Sequence, residues 1–266
     1  MIDCCVIGNS HLAAIKLGWD QVHQNYPGVA ASMFGSGGKH LSNTRLAEGN
    51  RLELNRGFLQ FPARSDTGRV KEINLNAYNC FVIVGSGFGM KCVLDIYMNF
   101  SFYGLNAGQR QVGSRDLFRN LAMQAALQSS AFHVCNLVRS ASKAPIFMIP
   151  VPLPSQKGYW DKEKRPRMVG WQECETNNDA EPLVSIFAEV RKNLFSGQLY
   201  YVDQAHMTKA GIIATKQEYS DNSVRMNDDF DIQHPAGDCF HMNPGYGALM
   251  WEELVTAMRV LPELSQ

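Results

Sequence analysis

The chain has 266 residues, 45 % of them hydrophobic, which is enough for one large α/β domain or two small ones with a packed core. Its 25 lysines and arginines are balanced by 25 aspartates and glutamates, so the formal net charge is zero. Nucleic acids and anionic membranes select proteins with a basic surplus. The charge balance therefore argues against both as partners.

The start of the chain and its cysteines indicate a cytoplasmic protein. Met1 leads directly into an apolar strand without a leader pattern, and no apolar run approaches the roughly 20 residues of a membrane helix. The seven cysteines are scattered, and none shows the C-x-x-C spacing of a zinc site. We expect reduced, mostly buried thiols, with neither a metal nor a cofactor.

Short apolar runs that end at glycine or proline alternate with helical periodicity along the chain. Strands are predicted at about 3–7, 29–34, 81–84, within 144–154 and at 198–202. Helices are predicted over 11–24, over 114–142 as two helices that meet near 129–130, over 181–195, and over 244–259 after an Asn-Pro start. This alternation is typical of a parallel sheet covered by helices on both faces.

Three segments interrupt this rhythm. The stretch "RLELNRGFLQF" alternates around Asn55-Arg56-Gly57, which predicts a small antiparallel hairpin added to the main sheet. Two long polar segments, at about 155–180 and 204–236, follow the ends of strands. Open α/β sheets bind ligands at the carboxyl ends of their strands, so we predict two lids there, within a single domain over 1–266. The alternative is that both segments are variable surface.

A serine stands where the first strand meets the first helix, in "VIGNSHL". Ser10 at this position is explained either by an N-cap or by a nucleophile. Near the other end, "GDCFHMNPGYG" places Asp238 three residues before His241, a spacing that puts both side chains on one face. Asp238 can then accept from one imidazole nitrogen and leave the other free to take a proton. We predict Ser10 as nucleophile, His241 as base and Asp238 as the orienting carboxylate.

These two blocks and the α/β rhythm between them resemble the SGNH, or GDSL-type, hydrolases. "VIGNSHL" is similar to the family's strand followed by Gly-Asp-Ser, with Asn9 in place of the aspartate, and "DCFHMNPGYG" is similar to its Asp-x-x-His block. The resemblance implies a flavodoxin-like three-layer α/β/α sandwich with a central five-stranded parallel sheet. It also implies that Ser10, His241 and Asp238 form a triad that cleaves or transfers acyl esters.

The chain departs from the family at the oxyanion hole, the set of donors that stabilises the negatively charged oxygen of the reacting ester. The resemblance implies the N–H groups of Ser10 and of a glycine after the second strand. For this glycine "FGSGGKH" offers Gly35, Gly37 and Gly38, of which we favour Gly37. The family's third donor is an asparagine, but "VGSGFGM" has Gly87 at that position. Loss of one donor typically lowers kcat by about 10²–10³. Either the Gly87 N–H replaces it, or a side chain such as Asn43 does, or the enzyme is slow.

Several glycine-rich and aromatic stretches have competing interpretations. "GSGG" and "GSGFG" fit neither G-x-G-x-x-G nor the P-loop, so tight turns explain them better than phosphate binding does. Four aromatic residues either line a substrate site or pack in the core. They are Phe88, Tyr159, Trp160 and Trp171.

Three histidines lie near the predicted site in the sequence. His11 follows Ser10 and is expected to pack or cap, with a supporting role near the serine as the weaker alternative. His206 and His234 fall in the second predicted lid, where the neighbouring residues offer too few ligands for a metal.

The predicted activity is hydrolysis of short-chain or acetyl carboxylic esters through an acyl-enzyme on Ser10. The expected partner is a small-molecule or saccharide ester. The residues leave open an O-acyltransferase that uses the same triad with a saccharide acceptor. They also leave open a non-catalytic binding domain on the same fold and, more distantly, a nucleotide-binding flavodoxin-like protein.

Overall fold

A computed structural model of the chain describes residues 1–266 except 62–67, 107, 109, 160–164, 228–229, 231, 236 and 265–266. Most of its strands form one eight-stranded sheet, and two more pair separately. In chain order the strands are β1 (Ile2–Gly8), β2 (Val29–Gly35), β3 (Arg45–Ala47), β4 (Arg51–Phe61), β5 (Gly68–Asn74), β6 (Cys80–Val84), β7 (Phe100–Phe102), β8 (Gln111–Gly113), β9 (Ile146–Ile149) and β10 (Leu199–Tyr201).

Five parallel strands form one side of the large sheet, in the order β10-β9-β6-β1-β2, with β10 at its edge. The predicted five-stranded parallel sheet is confirmed, although three antiparallel strands extend it. The order is that of a flavodoxin-like sheet, in which the ligand crevice lies at the carboxyl ends of the strands where the order reverses. Here that place is between the exits of β1 and β6.

The antiparallel extension pairs β4 with β2, and β3 and β5 with β4. The hairpin turn predicted at Asn55-Arg56-Gly57 is wrong, because β4 runs through this stretch and its register against β5 shifts between Glu53 and Phe58. Gly57 has a φ of 70°, which suits glycine in a bulge. A glycine of this kind signals a bulge as readily as a turn, and the sequence alone does not distinguish them.

Two helices begin where the sequence predicts and have side-chain caps. Ser129 accepts a hydrogen bond from the N–H of Phe132, and Asn243 accepts one from Tyr246, so the two helices that meet at 129–130 and the last helix are confirmed. The short α2 was not predicted, because a helix of this length shows too little periodicity. The helices are α1 (Leu12–Val22), α2 (Lys91–Tyr97), α3 (Arg115–Leu127), α4 (Ser130–Ala141), α5 (Gln156–Tyr159), α6 (Arg165–Thr176), α7 (Ala180–Leu194) and α8 (Pro244–Arg259).

The helices cover both faces of the sheet and enclose two apolar cores. On one face α1 and α8 contribute Trp19 and Trp251. On the other, α3 and α7 contribute Phe118 and Ile186. The three-layer α/β/α arrangement is thus as predicted, and all seven cysteines are buried, as expected for structural thiols.

Two glycines let α1 and α8 cross with their backbones in contact. A Cβ on Gly247 would lie 1.8 Å from the carbonyl oxygen of Ala14, and one on Gly18 would lie 2.2 Å from the backbone of Gly247. Trp251 adds a hydrogen bond from its indole N–H to the carbonyl of Ile15 at 2.9 Å. This crossing fixes the start of α1, which follows Ser10, against the start of α8, which follows His241.

The segment of the first predicted lid is mostly helical rather than a loop, and α6 buries Met168 and Trp171 in the core. Its role as a lid stays a prediction. The second segment, 204–236, has little regular structure beyond short 3₁₀ turns and a bridge between Val224 and Gln233. In the described part of the chain, no helix is long and apolar enough to cross a membrane.

Candidate active site

Ser10 lies in the turn between β1 and α1, at the carboxyl edge of the sheet. A hydrogen bond of 2.9 Å from the N–H of Leu12 to the carbonyl of Asn9 closes this turn. The N-cap residue of α1 is His11, and no side chain caps the helix. The N-cap interpretation of Ser10 is therefore wrong. Its hydroxyl lies 2.9 Å from Nε2 of His241, within hydrogen-bond distance.

His241 connects Ser10 to Asp238. Its Nδ1 lies 3.0 Å from Oδ2 of Asp238. An ionised carboxylate only accepts, so we assign the proton to Nδ1 and let Nε2 accept from the serine hydroxyl. Oδ1 of Asp238 accepts from the N–H groups of Phe240 and His241, each at 2.9 Å. This local turn follows from the Asp-x-x-His spacing and fixes the carboxylate against the imidazole.

The carboxylate of Asp238 stays ionised well into acid. Burial opposes its ionisation, but the hydrogen bond and charge of His241, with the N–H groups of His241 and Phe240, hold its pKa well below the ordinary value. Asp238 therefore remains an acceptor for His241 at any mildly acidic or higher pH.

Two further imidazoles stack with the ring of His241. The ring of His234 lies 3.8 Å from it between centroids with 10° between the planes, and the ring of His11 lies 5.0 Å from it at 22°. His234 also places its Nδ1 3.5 Å from Oδ2 of Asp238, the oxygen that His241 contacts. The second predicted lid thus reaches the site through His234.

Both flanking imidazoles are neutral at neutral pH. Burial, and then the neighbouring His241, lowers the pKa of His11 to about 3, and the same two causes lower the pKa of His234 below its ordinary value. A proton taken up by His241 therefore appears beside neutral rings rather than beside like charges. Nδ1 of His11 and Nε2 of His234 are buried and have no hydrogen-bond partner among the described residues, which fits packing rather than proton relay.

The donor atoms of His234, Asp238 and His241 lie within 4.8 Å of one another, a set of the kind that binds transition metals. The two imidazoles are, however, stacked nearly parallel, whereas ligands to one ion direct their lone pairs to a common point. Both Nδ1 atoms face the Asp238 carboxylate instead. This geometry suits hydrogen bonding better than metal binding, and a metal-free site stays a prediction.

The exit of β6 has an unusual backbone. Gly85, Ser86 and Gly87 have φ values of 63°, 51° and 83°, a region that residues with a Cβ rarely adopt. The hydroxyl of Ser86 donates to the carbonyl of Val84 at 2.9 Å and supports the turn. A Cβ on Gly85 would lie 2.7 Å from Oδ1 of Asn9, so this backbone approaches the exit of β1 closely.

The two predicted oxyanion glycines lie in different surroundings. Gly87 lines the same cavity as Ser10 and His241, and no hydrogen bond within the described residues occupies its N–H. Gly37, after β2, lines another cavity with Arg56. The side chain of Asn43 is exposed and lines neither cavity.

A cavity of about 540 Å³ opens beside Ser10. Trp171 lines it, as one of the two sequence interpretations predicts, whereas Phe88 is fully buried in the core against Phe132. The side chains of Tyr159 and Trp160 lie outside the described part of the chain.

Sequence reasoning missed how His11 and His234 stack on His241. The only signal is spacing, since His234 stands four residues before Asp238 in the same block. His11 carries no such signal, because its contact with His241 depends on the crossing of α1 and α8.

Comparison with known proteins gives no family. No family model matches the chain, and no curated protein does either. Among solved structures, an extracellular lipase from Streptomyces rimosus has a TM-score of 0.45 at 9 % identity, with 97 % of this chain and 99 % of that chain covered. A DUF4886 family protein from Bacteroides uniformis has a TM-score of 0.42 at 12 % identity, with 96 % and 83 % covered. Likenesses this distant carry no argument for the site.

Proposed function

We propose that the protein is a serine hydrolase that cleaves carboxylic esters through an acyl-enzyme on Ser10. The observation that carries the proposal is the continuous chain of contacts from Ser10 to His241 at 2.9 Å and from His241 to Asp238 at 3.0 Å. These contacts lie at the carboxyl edge of a parallel sheet and beside a cavity, where α/β proteins bind ligands. A serine, a histidine and a carboxylate in this order are the groups that acyl transfer needs.

In the first half of the reaction, Nε2 of His241 takes the proton of the Ser10 hydroxyl while Oγ forms a bond to the ester carbonyl carbon. The carbon–oxygen bond to the alcohol then breaks, and His241 returns its proton to the leaving alkoxide. In the second half, His241 takes a proton from water while the water oxygen forms a bond to the acyl carbon. The bond from that carbon to Oγ of Ser10 then breaks, His241 returns its proton to Oγ, and the acid is released. Asp238 holds the imidazole in the required tautomer and stabilises the imidazolium that forms in each half.

The negative oxygen that forms on the carbonyl carbon needs donors close to Ser10. We assign this role to the N–H groups of Ser10 and Gly87, two residues that line the cavity. The start of α1 adds the positive end of its helix dipole. Gly37 stays a predicted third donor on the strength of the family resemblance, and its place in another cavity does not support it.

Replacing Ser10 with alanine tests the proposal. We expect Ser10→Ala to lower the turnover of a short-chain nitrophenyl ester by at least about 10⁴-fold, because the attacking atom is gone. The matched control is Ser185→Ala, at an exposed serine on α7. Circular dichroism and thermal unfolding of both variants should match the parent protein. Parent-level turnover by a folded Ser10→Ala variant would disprove the mechanism.

A further inference from the structure

We infer that the cavity beside Ser10 holds the acyl part of the ester, and that this acyl group is a straight chain of medium length. The inference rests on the proposed function and names the substrate class of the same site. It differs from the short-chain or acetyl group expected from the sequence, and its basis is the size and chemistry of the cavity.

The cavity is too large for an acetyl group. Its volume of about 540 Å³ lies in the range of pockets that enclose whole small-molecule ligands. One wall is α2 with its two end residues, from Met90 to Met98, and Leu94 lies between them. The eight helical steps from Met90 to Met98 give this wall a length of about 12 Å. An acetyl group on Ser10 would leave most of this length in contact with water.

The walls away from Ser10 are largely apolar, and the charged residues on the α2 wall, Lys91 and Asp95, form an ion pair with each other. Leu94 is 2 % exposed and Trp171 4 % exposed, and Val151 and Pro152 at the exit of β9 line the same space. Alkyl chains gain free energy when they leave water for such surroundings. Two methionines, Met90 and Met98, add flexible and polarizable side chains that adapt to chains of different length. The chemistry therefore suits a flexible, unbranched hydrocarbon.

The order of the reaction favours the acyl group over the alcohol as the occupant. The alcohol leaves after the first half, and water must then reach His241, so the leaving side has to stay open to solvent. The acyl group remains bonded to Ser10 through both halves. The largely apolar cavity between α2 and α6 therefore suits the acyl group, which stays bonded to Ser10.

A series of nitrophenyl esters from acetyl to decanoyl, assayed below their micelle concentrations, tests the inference on the parent protein. We expect kcat/KM to rise roughly two- to fourfold per added methylene until the cavity is full, in line with the transfer free energy of a methylene group. A maximum at acetyl with a steady fall toward the longer esters would overturn the inference.

A glycine in the wall offers a variant that fills the cavity. Gly170 in α6 lines the cavity, and a Cβ there would lie 3.1 Å from the flexible end of Met98. We expect Gly170→Leu to lower the ratio of octanoyl to acetyl kcat/KM by about tenfold or more. The matched control is Gly28→Leu, where a Cβ would meet nothing within 4 Å and which precedes β2 at the opposite edge of the sheet. An unchanged ratio in a folded Gly170→Leu variant would contradict the inference.

Calorimetric titration with decanoate separates this inference from the proposed function. Binding to the parent protein but not to Gly170→Leu supports the cavity assignment, even if no ester is hydrolysed and the hydrolase proposal fails. Conversely, hydrolysis of acetyl esters that depends on Ser10, without decanoate binding and without a preference for longer chains, overturns the cavity assignment alone.

Discussion

Two neighbouring strand exits form the site, and they are built in different ways. The exit of β1 leads through Asn9 and Ser10 into a helix with ordinary backbone angles, and side-chain contacts to His241 hold it. The exit of β6 runs through Gly85 to Gly87 with three successive positive φ values. In the proposed mechanism the first exit supplies the attacking atom, and the second supplies a backbone N–H group.

This difference between the two exits predicts how substitutions at each of them affect activity and stability. At the β1 exit, a change of one side chain removes a chemical group and leaves the fold intact. At the β6 exit, the proposed oxyanion donor is a main-chain N–H group, so a substitution there affects activity by moving the backbone. We therefore expect substitutions at the first exit to lower activity without lowering stability, and substitutions at the second exit to lower both.

After Ser10→Ala, the largest effect is expected at Asp238, which orients His241 in the proposed mechanism. Asp238→Asn presents an amide donor to Nδ1 of His241 and favours the wrong tautomer, so we expect kcat to fall by about 10³–10⁴ while the fold is retained. Steady-state kinetics with a nitrophenyl ester measures this. The control is Asp20→Asn, at an exposed ion-pair partner of Lys16. A loss smaller than tenfold would mean that Asp238 does not orient the base.

A smaller effect is expected at Gly87, and here stability should change as well. Gly87 has a φ of 83°, where a Cβ costs about 1–2 kcal/mol, so Gly87→Ala should unfold earlier and lose about ten- to a hundredfold in kcat. Gly37→Ala is the same chemical change at a φ of −71°, with nothing within 4 Å of the new Cβ. The kcat of Gly37→Ala should stay within threefold of that of the parent protein. Equal losses of kcat in both variants would contradict the expected difference between Gly87 and Gly37.

The smallest effect is a dependence of stability on pH through His11. Its pKa is lowered to about 3 in the folded protein, whereas an unfolded histidine titrates near 6.5. As pH falls below that value, the unfolded chain binds a proton that the folded chain does not, so stability decreases. Between pH 7 and pH 5 the free energy of unfolding should fall by about 2 kcal/mol from this group.

Urea unfolding at the two pH values measures this change. Asp238 adds no slope in this window, because its lowered pKa matters only in stronger acid. His11→Phe, which cannot take up a proton, should show a flatter dependence. Equal or greater stability of the parent protein at pH 5 would contradict the assignment.

The sequence indicates the side chains of the proposed triad far better than the backbone geometry at the exit of β6. Ser10 and Asp238-x-x-His241 are visible because their chemistry is carried by residue type and short spacing, and the parallel strands are visible as buried apolar runs. The geometry at Ser86 is not visible, because a positive φ at a serine is imposed by the surrounding fold. The stack of His11 on His241 was hidden for a related reason, since the glycine crossing of α1 and α8 produces it.

Covalent labelling with a fluorophosphonate tests the central claim most directly, because it reports an activated serine without any assumption about the substrate. Intact-mass analysis should show one adduct per chain, peptide mapping should place it on Ser10, and His241→Ala should label far more slowly. No adduct on the folded parent protein, or an adduct elsewhere with Ser10 unmodified, would contradict the assignment of Ser10 as the nucleophile.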